Sequence, residues 1–110
     1  MDDLLKATWY VLEDPQVPGE HLVLESLGQR LSTIWLSQDE ARAFMEKTPT
    51  AAGMQVGKLE GYALKETYLV ALGRLGVNQI VVGYQPGMFQ AQVIPREKAL
   101  ERLSLLAWEG

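Results

Sequence analysis

The stretch "GVNQIVVGYQPGMFQAQVIP", residues 76–95, limits the possible folds of this chain more than any other. A run of β-branched residues leads into Gly83 and then Pro86-Gly87, so a strand must end in glycine-rich backbone. Such a joint is either a phosphate-binding loop or a turn. A phosphate loop needs its glycines to run straight into a helix whose N-terminal amides hold the anion. Here the chain runs into a second apolar segment, residues 88–94, with no Lys-Ser or Lys-Thr after Gly87 and no G-x-G-x-x-G spacing. A hairpin fits instead. With residues 85–88 as a type II turn, proline at i+1 and glycine at i+2, Tyr84 faces Phe89, Val82 faces Ala91 and Ile80 faces Val93 on one side of the ribbon. Two-residue type II turns twist against a tight hairpin, which favours a connection wider by a residue or two.

The other segments are equally short. Residues 7–12 are rich in strand formers and stop at Glu13-Asp14-Pro15, with Pro18-Gly19 following; 21–26 and 30–36 form a second and third strand around a turn at 27–29. Ser37-Gln38-Asp39-Glu40 is a capping box: the serine hydroxyl can accept from the N3 amide, and the acids suit the positive end of a helix. That helix runs from Gln38 to Thr48-Pro49 with Ala41, Phe44 and Met45 on one face. A weak strand at 54–59 precedes a second helix, 62–75, whose inward stripe is Leu64, Tyr68, Ala71, Leu72 and Leu75 and whose C-terminal cap is Gly76. Pro95 suits the first turn of a third helix with Ala99, Leu100, Leu103, Leu106 and Ala107 inward. The order β-β-β-α-β-α-β-β-α predicts an α+β fold: one domain, a mixed and mainly antiparallel sheet of five or six strands, and three helices packed on it.

Composition excludes more than it suggests. The chain has 110 residues, 47% hydrophobic and 22% charged, close to an average globular domain. Having no cysteine, it cannot form disulfides, thiolate nucleophiles or cysteine-ligated metal sites. The acidic start and the lack of an apolar run near the ~20 residues that span a bilayer predict a cytoplasmic protein without membrane attachment. Residues 1–55 hold nine acids and four bases, and residues 56–110 hold five acids and six bases, so the net −4 sits in the first half. The bases are scattered apart from Arg96, Lys98 and Arg102, which argues against nucleic-acid binding.

Catalytic constellations are equally sparse. His21 is the only histidine, and no serine has a G-x-S-x-G setting, so no nucleophile has an evident base; His21 reads as a partly exposed loop residue. Acids pair as Asp2-Asp3, Glu13-Asp14 and Asp39-Glu40 without calcium-loop spacing, so no metal or cofactor is expected. Glu25 and Arg30 read as an exposed cross-strand pair.

Aromatic residues carry the functional lead. Tyr84, Gln85, Pro86, Gly87, Met88 and Phe89 at the turn, with Trp108 near the chain end, are hard to bury in a domain this small. Clustered exposed aromatic and methionine side chains mark association surfaces. The reading is a non-enzymatic interaction module that forms a homodimer or binds another protein, with strand 88–94 as a sheet edge. The competing reading is a small-molecule-binding protein or small enzyme with a pocket between the sheet and helix 62–75, where Tyr62, Tyr68 and Glu66 supply polar groups. Glu66 lies opposite the apolar stripe, which counts against that pocket.

The segments "IWLSQDEARAF" and "LGRLGVNQIVVGYQPG" resemble the N-terminal domain of SseB-like proteins, in which a strand runs into Ser/Thr, acids and a helix, and Leu-Gly-Val later leads into an apolar strand closed by Pro-Gly. The resemblance spans about residues 22–94. It implies a fold and a bacterial intracellular setting, with no catalytic residues. Tyr84-Gln85 before the Pro-Gly and the helix directly after Ile94 depart from the family pattern.

Overall fold

The structure, a computed structural model, describes residues 1–17, 19–26 and 28–109. Pro18 and Leu27, on which the 18–19 and 27–29 turn readings rest, lie outside the described residues. The chain runs through helix α1 (Asp2–Lys6), strands β1 (Trp9–Glu13), β2 (Leu24–Ser26) and β3 (Gln29–Ile34), helix α2 (Gln38–Lys47), a 3₁₀ turn (Pro49–Ala51), β4 (Gln55–Leu59), α3 (Tyr62–Arg74), β5 (Gln79–Val82), β6 (Gln92–Pro95) and α4 (Arg96–Glu109). It is an α+β fold in the expected element order, with α1 added at the front.

The six strands do not form one sheet. β1 and β4 make an antiparallel pair, and the other four lie in the order β2-β3-β5-β6, with β3 and β5 parallel and the outer pairs antiparallel. The single sheet expected from the sequence is therefore split. β3 ends at Ile34 and the chain turns into α2 at Ser37, which leaves Trp35 alone to exchange backbone hydrogen bonds with Tyr10 of β1 (2.8 and 2.9 Å).

Local chemistry sets the helix ends. Ser37 Oγ accepts from the Glu40 amide at 3.2 Å, as the capping box requires. Past α3, Gly76 takes φ 75°, the Val77 amide donates to the Leu72 carbonyl and the Gly76 amide to the Gly73 carbonyl. These two bonds form a Schellman motif, which needs the left-handed conformation glycine allows. α1 was not legible from periodicity. It ends on side chains from outside the helix: Trp9 Nε1, from β1, donates to the Leu4 carbonyl (2.8 Å) and Lys65 Nζ, distant in sequence, to the Leu5 carbonyl (2.6 Å). Arg102 holds Asp2 through two 2.7 Å hydrogen bonds that also lower the Asp2 pKa.

Two apolar clusters result. The larger gathers Leu5, Trp9, Ile34, Tyr68, Leu72, Ile80, Ile94, Ala99, Leu103 and Leu106, so α3 and α4 seal one face of the four-stranded sheet. The smaller joins Leu12, Leu22, Trp35, Ala41 and Phe44, with Tyr84 packed against it. α3 is rotated from the expected stripe. Lys65, Tyr68, Leu69 and Leu72 are buried, whereas Leu64 is 49% exposed. Lys65 takes a core position through its bond to Leu5 and its closeness to the Trp9 and Tyr62 rings (5.4 and 5.8 Å to the centroids), and burial lowers its pKa. On α4, Ala99, Leu103 and Leu106 point inward as expected, while Ala107 is exposed.

Candidate functional site

The turn at residues 85–88 exists as read: Gly87 has φ 92° and the Met88 amide donates to the Gln85 carbonyl at 3.2 Å. It does not join the two strands directly. At Gly83, φ 73°, the chain leaves the β5 ladder and its amide bonds across to the Ile34 carbonyl (2.8 Å). The connection thus spans residues 83–91, and pairing shifts by one residue: Val82 faces Gln92, Val81 faces Val93 and Ile80 faces Ile94. The expected Tyr84–Phe89, Val82–Ala91 and Ile80–Val93 pairs are absent. Because side chains alternate between faces, this shift buries Ile94 and turns Val93 to the other face.

The predicted surface residues separate into inner and outer groups. Tyr84 is half-buried against Phe44 (ring centroids 5.9 Å apart), and its carbonyl accepts from Trp35 Nε1 at 2.8 Å. Gln85 is tied to α2 by Nε2 donating to the Glu40 carbonyl (2.7 Å). Pro86, Gly87 and Met88 are exposed, and Phe89 is 103% exposed. Trp108, 91% exposed, lies on α4, the helix that packs on the opposite face of the sheet.

A groove of about 480 Å³ opens beside Tyr84. Leu24, Leu31 and Val81 form its floor on the face of the four-stranded sheet that α3 and α4 leave free; Phe44, Tyr84 and Pro86 wall it, and Glu25 and Lys47 stand at it. Among the described residues, the place of the expected pocket between the sheet and α3 is filled by side chains, Tyr68, Leu69 and Leu72 being buried there. Tyr68 is enclosed there, its hydroxyl 3.1 Å from Ser32 Oγ, which donates to the Leu22 carbonyl, and burial raises its pKa. Tyr62 packs on Lys65, and Glu66 lines a cavity on the outer side of α3 with Thr67, Val70 and Arg74. The groove lies on the other face of the sheet from the place expected for a pocket.

His21 is more enclosed than the sequence implies. Its side chain is 8% exposed, with the ring edge-on to Tyr68 at 4.8 Å and Nε2 3.8 Å from Glu13 Oε2. Desolvation lowers its pKa, opposed by the Glu13 carboxylate. Among the described residues, no group of three or more histidine or acidic side chains is placed to hold a metal ion.

These features define an α+β fold with a grooved open sheet face and an outer strand beside a protruding aromatic residue. The chain belongs to a family described as a protein of unknown function (DUF3234), whose model matches residues 6–100. No curated protein matches it. The family differs from the SseB-like one that the sequence segments resemble. Those segments mark a helix cap and a strand-to-turn joint, features that unrelated folds share for the same backbone reasons. No helix among the described residues is long and apolar enough to cross a membrane.

Proposed function

We propose that this protein is a non-enzymatic interaction module that acts through the exposed part of the segment at residues 86–93, with self-association as its first expression. The observation that carries this reading is Phe89, whose side chain is 103% exposed beside the exposed Met88 (45%) and Val93 (45%). A large aromatic group costs free energy in water, and three exposed apolar groups within the short stretch 88–93 supply the kind of centre from which interfaces are built. Tyr84 and Gln85 belong to the support beneath it, and Trp108, on α4, is a separate exposed group. Light scattering at about 50 µM tests the reading. The wild type is expected to exceed monomer mass and Phe89→Ala to return towards it; a monomeric wild type counts against the proposal.

A second reading is favoured by the groove, whose volume of about 480 Å³ is within the range of small-molecule sites. It predicts that apolar compounds raise the melting temperature and perturb the amides of Leu31 and Val81 in NMR spectra.

A further inference from the structure

The outer edge of β6 has a defined polarity. The Arg96 amide donates to the Asn78 carbonyl at 2.8 Å, and the register pairs Ile80 with Ile94 and Val82 with Gln92. In an antiparallel ladder hydrogen-bonded and non-hydrogen-bonded pairs alternate, so the even-numbered residues of β6 direct their N–H and C=O groups to β5 and the odd-numbered ones direct theirs away. Val93 thus presents a donor and an acceptor outward. Pro95 presents only an acceptor, since proline lacks the N–H. β6 is the last strand of its sheet, and residues 89–91, which precede it, belong to no strand because β5 has departed at Gly83.

Edge strands are normally protected by charge, proline or cover. This one has little such protection. Residues 75–95 contain no Asp, Glu, Lys, Arg or His, although the chain carries 24 charged residues elsewhere (10 basic and 14 acidic). The lack of charge matters most for two-fold pairing, because a two-fold axis brings a residue close to its own copy and a charge there would repel itself.

We infer that residues 89–93 pair antiparallel with the same residues of a second copy, with Ala91 on the two-fold axis. This inference rests on the association reading above and assigns its geometry. In this register Phe89 faces Val93 of the second copy, and Ala91 faces Ala91. All three odd-numbered residues then exchange backbone hydrogen bonds. Pro95 falls opposite Gly87 of the second copy, where the turn ends the pairing and no donor is required. Centring on Val93 instead would set Ala91 against Pro95 and leave the Ala91 carbonyl without a donor. The side chains agree with the first register. Val93 shares a face with Val81, and Val81 with Thr33, so Phe89 of the second copy extends the row Thr33-Val81-Val93 along the open face. Two four-stranded sheets become one of eight.

Each Phe89 contributes about 150–250 Å² to such a contact. Two of them, with Met88, Val93 and the strand backbone, approach the lower end of the ~1,200–2,000 Å² of a standard interface. Residues 89–91 must also become extended on pairing. The expected dimer is therefore weak, with a Kd on the order of micromolar.

The absence of native cysteine makes the register directly testable. In a hydrogen-bonded antiparallel pair the Cα atoms are about 5.5 Å apart, within the span of a disulfide, while positions displaced along the ladder exceed it. The expected result is that Ala91→Cys cross-links to a covalent dimer under mild oxidation at least about tenfold faster than Gln92→Cys or Val93→Cys, with sedimentation showing a wild-type dimer at about 50 µM. A wild-type dimer in which Val93→Cys or Gln92→Cys cross-links as fast as Ala91→Cys overturns the register and leaves association standing. A wild type that remains monomeric at about 50 µM overturns both.

Discussion

On one face of the four-stranded sheet, Ile34, Ile80 and Ile94 lie sealed beneath α3 and α4. On the other, Leu31 and Val81 line the groove with Phe44, Tyr84 and Pro86, Val81 itself buried at 5% exposure, while Val93 is 45% exposed. The same strands supply both faces, and the two are about equally apolar in sequence. What separates them is where the connections send their helices: two to one side, and one, only ten residues long, to the other. An apolar residue in a strand therefore shows that a strand exists without showing what covers it. Stability is expected to reside on the sealed face and interaction on the open one.

The largest test of that division is a truncation on the sealed face. Leu72 is fully buried between α3 and the sheet, and Leu72→Ala is expected to cost about 2–5 kcal/mol in urea unfolding, from lost transfer energy and the cavity left behind. Val93→Ala, on the open face, is expected to cost less than about 1 kcal/mol under the same conditions. Equal costs would remove the distinction between the faces.

Acid sharpens the comparison next, because His21 closes one end of the sealed cluster against Tyr68. Its folded pKa is below the ordinary value of 6.5, mainly through desolvation. The unfolded chain therefore takes up a proton near pH 6.5 while the folded chain stays neutral until lower pH. In that window stability rises with pH and is lost on acidification, with a slope of at most ~1.4 kcal/mol per unit. Urea midpoints measured between pH 7 and pH 5 should show this loss, and His21→Gln should flatten it. An unchanged slope in the variant would assign the acid sensitivity to other groups.

On the open side, α2 is held by the packing of Ala41 and Phe44 in the smaller cluster and by its cap at Ser37. Ser37→Ala removes the bond to the Glu40 amide and is expected to cost about 1 kcal/mol, with faster hydrogen exchange in the first turn of α2. This joint was legible in the sequence because its chemistry is local: a hydroxyl and an acid three residues apart suffice. Gly76 was legible for the same reason. Three features were not, and each depends on residues distant in sequence. α1 ends on Lys65, sixty residues on from the Leu5 carbonyl that it caps. The rotation of α3 follows from burying a lysine, which hydrophobic periodicity assigns to water. The one-residue shift between β5 and β6 follows from Gly83, which sits in a β-branched run and reads as strand, but whose φ of 73° turns the chain out of the ladder just after its amide bonds to Ile34. Of the candidate surface, the sequence marks residues 84–89 and Trp108 as hard to bury and leaves the cover of Tyr84 and Phe89 open; the division into inner supports (Tyr84, Gln85), an outer edge and a remote helix end required the fold.

The smallest expected effect on stability belongs to the residue on which the association proposal rests. Phe89 is 103% exposed, so Phe89→Ser removes almost no buried surface from the isolated chain and should shift its unfolding free energy by no more than about 0.5 kcal/mol. The same change should reduce dimer formation by at least about tenfold, since each removed ring takes ~1.5 kcal/mol or more of burial from the contact and a two-fold interface loses two. Measured together, by urea unfolding at low concentration and sedimentation at high concentration, the two quantities should move independently. A Phe89→Ser protein that loses several kcal/mol of stability would mean that the ring is packed within its own chain, which would erase the contrast between a sealed face that holds the fold and an open edge available to a partner.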